Sequence, residues 1–79
     1  MFDIYIYYED GQSNRFVNVT KVLNSNNEEI NLEKESIPID LEKVTFFSEN
    51  ISSCVNLKKM NTLQVIVKKI LDEDLPIPF

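Results

Sequence analysis

The residue types that do chemistry are few in this 79-residue chain, and the missing ones set the first limits. There is no histidine, one cysteine (Cys54) and one glycine (Gly11). Without histidine the commonest general base near neutral pH is gone, and with it the usual Ser-His and Cys-His nucleophile pairs. Cys54 could be activated only by a nearby lysine or a helix N-terminus. A lone cysteine in a small domain is more commonly a small buried apolar side chain, and burial is the expectation for Cys54. A single glycine cannot build a Walker loop or a dinucleotide fingerprint. The thirteen acidic residues remain. Asn24, Asn26, Glu28 and Glu35 fall at positions one, three, five and twelve of an EF-hand-like spacing, but Glu29 stands where the sharp turn requires glycine. No catalytic, cofactor-binding or metal-binding residue is assigned, and the chain reads as a non-enzyme.

A protein without an active site acts by contact, and the charge is placed unevenly enough to suggest where. Residues 1–53 carry ten acids and four bases, residues 54–79 three acids and four bases, and the net charge is −5. The densest acidic stretch is Glu28, Glu29, Glu33, Glu35, Asp40 and Glu42, relieved only by Lys34. With Arg15 the only arginine, direct binding of DNA or RNA is disfavoured, because such affinity comes largely from Lys and Arg neutralising phosphates. An acidic surface can instead occupy a basic groove on another protein, steered there by its field.

These residues must be positioned by a small scaffold, in which folding hides only about 60% of the surface of the unfolded chain. One cysteine forms no internal disulfide, so tight packing or association, including a homodimer, must make up the margin. The best-defined element is an N-terminal β-hairpin. Residues 2–9 alternate, with Phe2, Ile4, Ile6 and Tyr8 on one face and Asp3, Tyr5, Tyr7 and Glu9 on the other. Asp10-Gly11 then favours a two-residue turn, which sets Phe2 against Val19, Ile4 against Val17 and Tyr5 against Phe16; a four-residue loop keeps the same faces, whereas a three-residue loop sets Ile4 against Asn18 and spoils the match. On that register Tyr5, Tyr7 and Phe16 share the outer face and form a candidate aromatic contact patch.

Ile30-Asn31-Leu32 reads as a third strand or edge segment. Ile37, Ile39 and Leu41 alternate but are confined to an edge by Pro38, and Val44–Ser48 reads as a better strand. In the last third, Leu63, Ile66, Val67, Ile70 and Leu71 form one helical stripe, with Asn61 and Gln64 at capping-box spacing and Ser53 as a possible earlier N-cap. Val65-Ile66-Val67 is a β-branched run that argues the other way. The expected architecture is therefore α+β: a single domain over residues 1–79, with a small antiparallel sheet opened by the hairpin and one C-terminal helix on one face. A small all-β barrel is the alternative if 62–69 is a strand. Residues 75–79 form an extended tail whose Phe79 is a further candidate contact.

The N-terminus lacks a basic and apolar leader pattern, and no apolar run approaches a membrane span, so a cytoplasmic location without membrane contact is expected. Composition adds a class-level likeness. Phe, Tyr, Met, Ile, Asn and Lys supply 35 residues against five from Gly, Ala, Arg and Pro. In this the chain resembles the short acidic proteins of phages and mobile elements in low-GC bacteria. The functional expectation is an accessory protein that binds and modulates or inhibits a host protein, a nucleic-acid-processing one included. A self-assembling structural or scaffolding protein is the alternative.

Overall fold

The computed structural model describes residues 1–49 and 51–70, and they form six strands: β1 (Phe2–Tyr8), β2 (Ser13–Val19), β3 (Lys21–Leu23), β4 (Val44–Phe47), β5 (Ser52–Val55) and β6 (Thr62–Lys69). They make two antiparallel three-stranded sheets, sheet A in the order β2-β1-β6 and sheet B in the order β3-β4-β5. β2 and β3 are nearly one strand that passes from sheet A to sheet B at Thr20, whose amide donates to Phe47 O at 2.7 Å. The sheets face each other across one core. Ile4, Ile6, Tyr8 and Val19 come from sheet A, Val22, Val44 and Phe46 from sheet B, and Ile30, Ile37 and Leu57 from the connections.

The expected α+β class is overturned: the described residues contain no helix, and the stretch read as the C-terminal helix is β6. Pairing with β1 decides this. Val65 stands opposite Ile6 and Val67 opposite Ile4, so the β-branched run puts every second side chain against two residues with no exposed surface. A helix would fit the same stripe but leave the open side of β1 unpaired, and each unpaired buried amide and carbonyl is costly. Ser53 is not an N-cap, since it lies within β5. The turn between β5 and β6 is held by Asn56, whose Oδ1 accepts the Lys59 amide at 2.9 Å, and by Asn61 with φ 54°. With 62–69 a strand the described residues are all-β, yet β5 and β6 do not pair and no barrel closes among them. The result is two facing sheets that share a bent strand.

The hairpin forms with a different turn. Tyr8 N donates to Gln12 O at 3.0 Å and Gly11 N to Tyr8 O at 3.1 Å, enclosing a three-residue loop of Glu9, Asp10 and Gly11. Gly11 takes φ 88°, the left-handed position such loops require. Tyr5 therefore pairs with Arg15 and Ile4 with Phe16, in place of the expected Phe16 and Val17. An irregularity at Val17 and Asn18 then restores the expected Phe2–Val19 pair. Asn18 makes it possible by adopting φ 55°, a conformation asparagine tolerates better than most residues.

Between β3 and β4, only single contacts replace the anticipated strands. Leu23 and Glu29 form an isolated bridge, and Ile30 N donates to Val22 O at 2.9 Å. Ile37 is buried and Leu41 half-buried, whereas Ile39 faces solvent.

Candidate functional site

Two surfaces carry the candidate contact residues. The first is the outer face of sheet A. Tyr5 and Tyr7 lie there, Tyr7 39% exposed and Tyr5 half-buried beneath the Arg15 guanidinium, which sits 5.3 Å from its ring centroid. Phe16 does not join them. The three-residue loop turns it to the inner face, where it stacks on Phe46 with ring centroids 4.6 Å apart, so the expected Tyr5-Tyr7-Phe16 patch is corrected to Tyr5 and Tyr7. Ile66, directly opposite Tyr5, takes the third place on that face and is 39% exposed. A helical reading of 62–69 hides this neighbour.

Asp3 anchors one end of this face. Its carboxylate accepts from Arg15 Nη2 at 3.0 Å and from the Asn18 amide at 3.3 Å, and it stands opposite Lys68. The Arg15 hydrogen bond is the main influence holding its pKa below the ordinary carboxylate value, against the opposing effect of burial and with help from the Asn18 amide.

The second surface is the long connection between β3 and β4, where the six acids separate into groups. Glu28, Glu29 and Glu35 line one hollow of about 280 Å³, floored by Ile30 and Leu41. Glu33 is turned away toward Lys69, whose Nζ donates to Glu33 Oε1 and holds the carboxyl below its usual range. Glu42 lies 3.8 Å from Lys58. Asp40 is exposed and makes no ion pair among the described residues. Phe79 and the tail 75–79 lie outside the described residues.

The chemistry-bearing residues are dispersed. Cys54 is exposed on β5 opposite Thr45, in contrast to the burial expected of it. No helix is formed among the described residues, so Cys54 has no helix N-terminus there to activate it. In the EF-hand-like spacing, Asn24 Oδ1 is already committed to the amides of Asn26 and Glu28, at 2.9 and 3.0 Å. No helix among the described residues is long and apolar enough to cross a membrane. The chain matches no protein-family model, no curated protein and no solved structure.

Proposed function

We propose that this chain is a non-enzymatic, cytoplasmic accessory protein of a phage or mobile element that docks through its acidic β3–β4 connection on a basic surface of a host protein. The single observation that carries the reading is the grouping of Glu28, Glu29 and Glu35 around one hollow on a connection pinned to the core by Ile30 and Ile37. A fixed cluster of negative charge loses little conformational entropy on binding and steers a basic partner toward itself. The basic surfaces that fit best are those of nucleic-acid-processing proteins, which present Lys and Arg to phosphates. The phage or mobile-element origin rests on composition alone.

The grouping also selects the residues to change. Glu33 and Glu42 already have lysine neighbours, so Glu28 and Glu29 are the acids to reverse. Glu35 Oε2 accepts the Asn31 amide at 3.0 Å, so Glu35→Gln removes its charge while keeping an acceptor. The E28K/E29K/E35Q variant is expected to retain at least about tenfold less partner than wild type in affinity capture from a low-GC host lysate. Raising salt from about 50 to about 300 mM is expected to weaken wild-type capture, because exposed charges are screened over a Debye length. Short duplex DNA is expected to compete. Capture indifferent to both the substitutions and salt refutes docking through these acids.

A further inference from the structure

Sheet edges offer unsatisfied amides and carbonyls, and proteins normally guard them. Among the described residues, three of the four edges are guarded. β2 is broken by the irregularity at Val17 and Asn18, β3 is covered by Glu29 and Ile30, and β5 is only four residues long. β6 differs: its eight residues make it the longest strand, it contains neither proline nor glycine, and its one irregularity lies near its start. From Gln64 to Lys69 it follows Phe2–Tyr7 residue for residue. Its lysines, which would ordinarily repel another strand, are locally offset, Lys68 standing opposite Asp3 and Lys69 bonded to Glu33.

We propose that β6 is a homodimerisation edge at which two copies of this chain pair antiparallel about a two-fold axis through Ile66, joining two three-stranded sheets into one of six strands. The strand is self-complementary about that axis. Directly opposed residues must lie on the same face of a sheet. Centring on Ile66 meets this condition, placing Ile66 against Ile66 of the second copy, Val65 against Val67 and Gln64 against Lys68. No like charges oppose each other. A register centred on Lys68 would oppose the two lysines. Outer-face Tyr5 and Ile66 of each copy then form one continuous apolar strip, and Val65 and Val67 continue the inner face. A closed two-fold pair is the commonest oligomer, and a small domain gains stability from one. A pairing through one strand from each copy is a modest contact, and a Kd in the micromolar range is expected.

Light scattering on the purified full chain at about 200 µM is expected to give twice the chain mass. In a Cys54→Ser background, Ile66→Cys is expected to form an intermolecular disulfide under mild oxidation, since opposed Cα atoms lie about 4.5–5.5 Å apart. Gln64→Cys is expected not to, because two such positions sit about 13 Å apart along the paired strands. Ile66→Lys, at an exposed outer position that tolerates charge, is expected to raise the dimer Kd at least about tenfold with an unchanged circular dichroism spectrum. Salt should strengthen this dimer, because each copy carries a net charge of −5, whereas it weakens acidic docking. Ile66→Lys should leave host-protein capture intact, so the two proposals fail separately. A monomer at about 200 µM overturns the inference, and so does a dimer that forms no disulfide through position 66.

Discussion

Sheet A and the connection between β3 and β4 both contribute buried isoleucines to one core, but they satisfy their backbones by different means. In sheet A, Ile4 and Ile6 sit on a central strand whose two sides are paired along most of its length. The connection forms one bridge to β3 and short local turns, such as Asn24 N to Glu28 O and Glu35 N to Asn31 O, both at 2.8 Å, and these turns are held together by side chains. Asn24 Oδ1 accepts two amides, Asn31 Oδ1 accepts the Glu33 amide at 3.1 Å, and Ser25 Oγ both donates to Lys43 O and accepts its amide. Ladder bonds are mutually dependent, so disturbing one strand propagates. Bonds from single side chains are separable, and a surface built on them can change without dismantling the sheets beneath.

The comparison breaks first, and most severely, at Ile6. This residue has no exposed surface and stands between Asn14 and Val65 on the central strand. Ile6→Ala is expected to cost about 2–5 kcal/mol, a large share of the about 5–15 kcal/mol typical of natural domains. Urea denaturation should show the loss, and amide exchange should accelerate in both sheets together. A cost below about 1 kcal/mol would mean that the core relaxes around the cavity and that the central strand is less critical than its pairing implies.

A smaller, local effect is expected at Asn24. Asn24→Ala removes the acceptor for two exposed amides at a cost of about 1 kcal/mol. Exchange should quicken at Asn26 and Glu28 while Ile4 and Ile6 stay protected. Uniform acceleration would show that the connection and the sheets open as one unit and erase the distinction between them.

That distinction was only half legible in the sequence. Alternation in residues 2–9 announces β1 and its inner face, because a strand's period is two whatever packs against it. The register needed more, since Asp10-Gly11 can close a loop of two residues or end one of three, and the difference moves Phe16 from one face to the other. For residues 62–69 both periods fit, and only the open side of β1 resolves them. The asparagines held an overlooked signal. Read as base composition, they instead occupy the special backbone positions: Asn18, Asn27 and Asn61 are the positive-φ residues other than glycine among the described residues. Asn24, Asn31 and Asn56 hold turns with their side chains. For the acids, sequence located the dense stretch but not its division, because Glu33 meets Lys69 and Glu42 meets Lys58 only once the chain is folded.

Asp3 sharpens the comparison from inside sheet A, where one carboxylate does for a strand what Asn24 does for the connection. Its side chain is 10% exposed and accepts both the Arg15 guanidinium and the Asn18 amide, so it fixes the irregularity that turns Val19 inward. The folded-state pKa is lowered, with the Arg15 hydrogen bond the leading cause. A carboxylate with a depressed folded pKa contributes stability above its unfolded pKa, near 4, and that contribution fades as pH falls through the folded value. Asp3→Asn retains an acceptor for the Asn18 amide and removes the charge together with the oxygen that accepts from Arg15. Wild type should therefore exceed the variant in urea midpoint at pH 6, and the gap should narrow as pH falls to about 3. The effect is the smallest of the three, because Arg15 is 57% exposed and water screens the pair. A gap that does not change between these pH values would assign the stabilisation to the shape of the side chain, with no contribution from its charge.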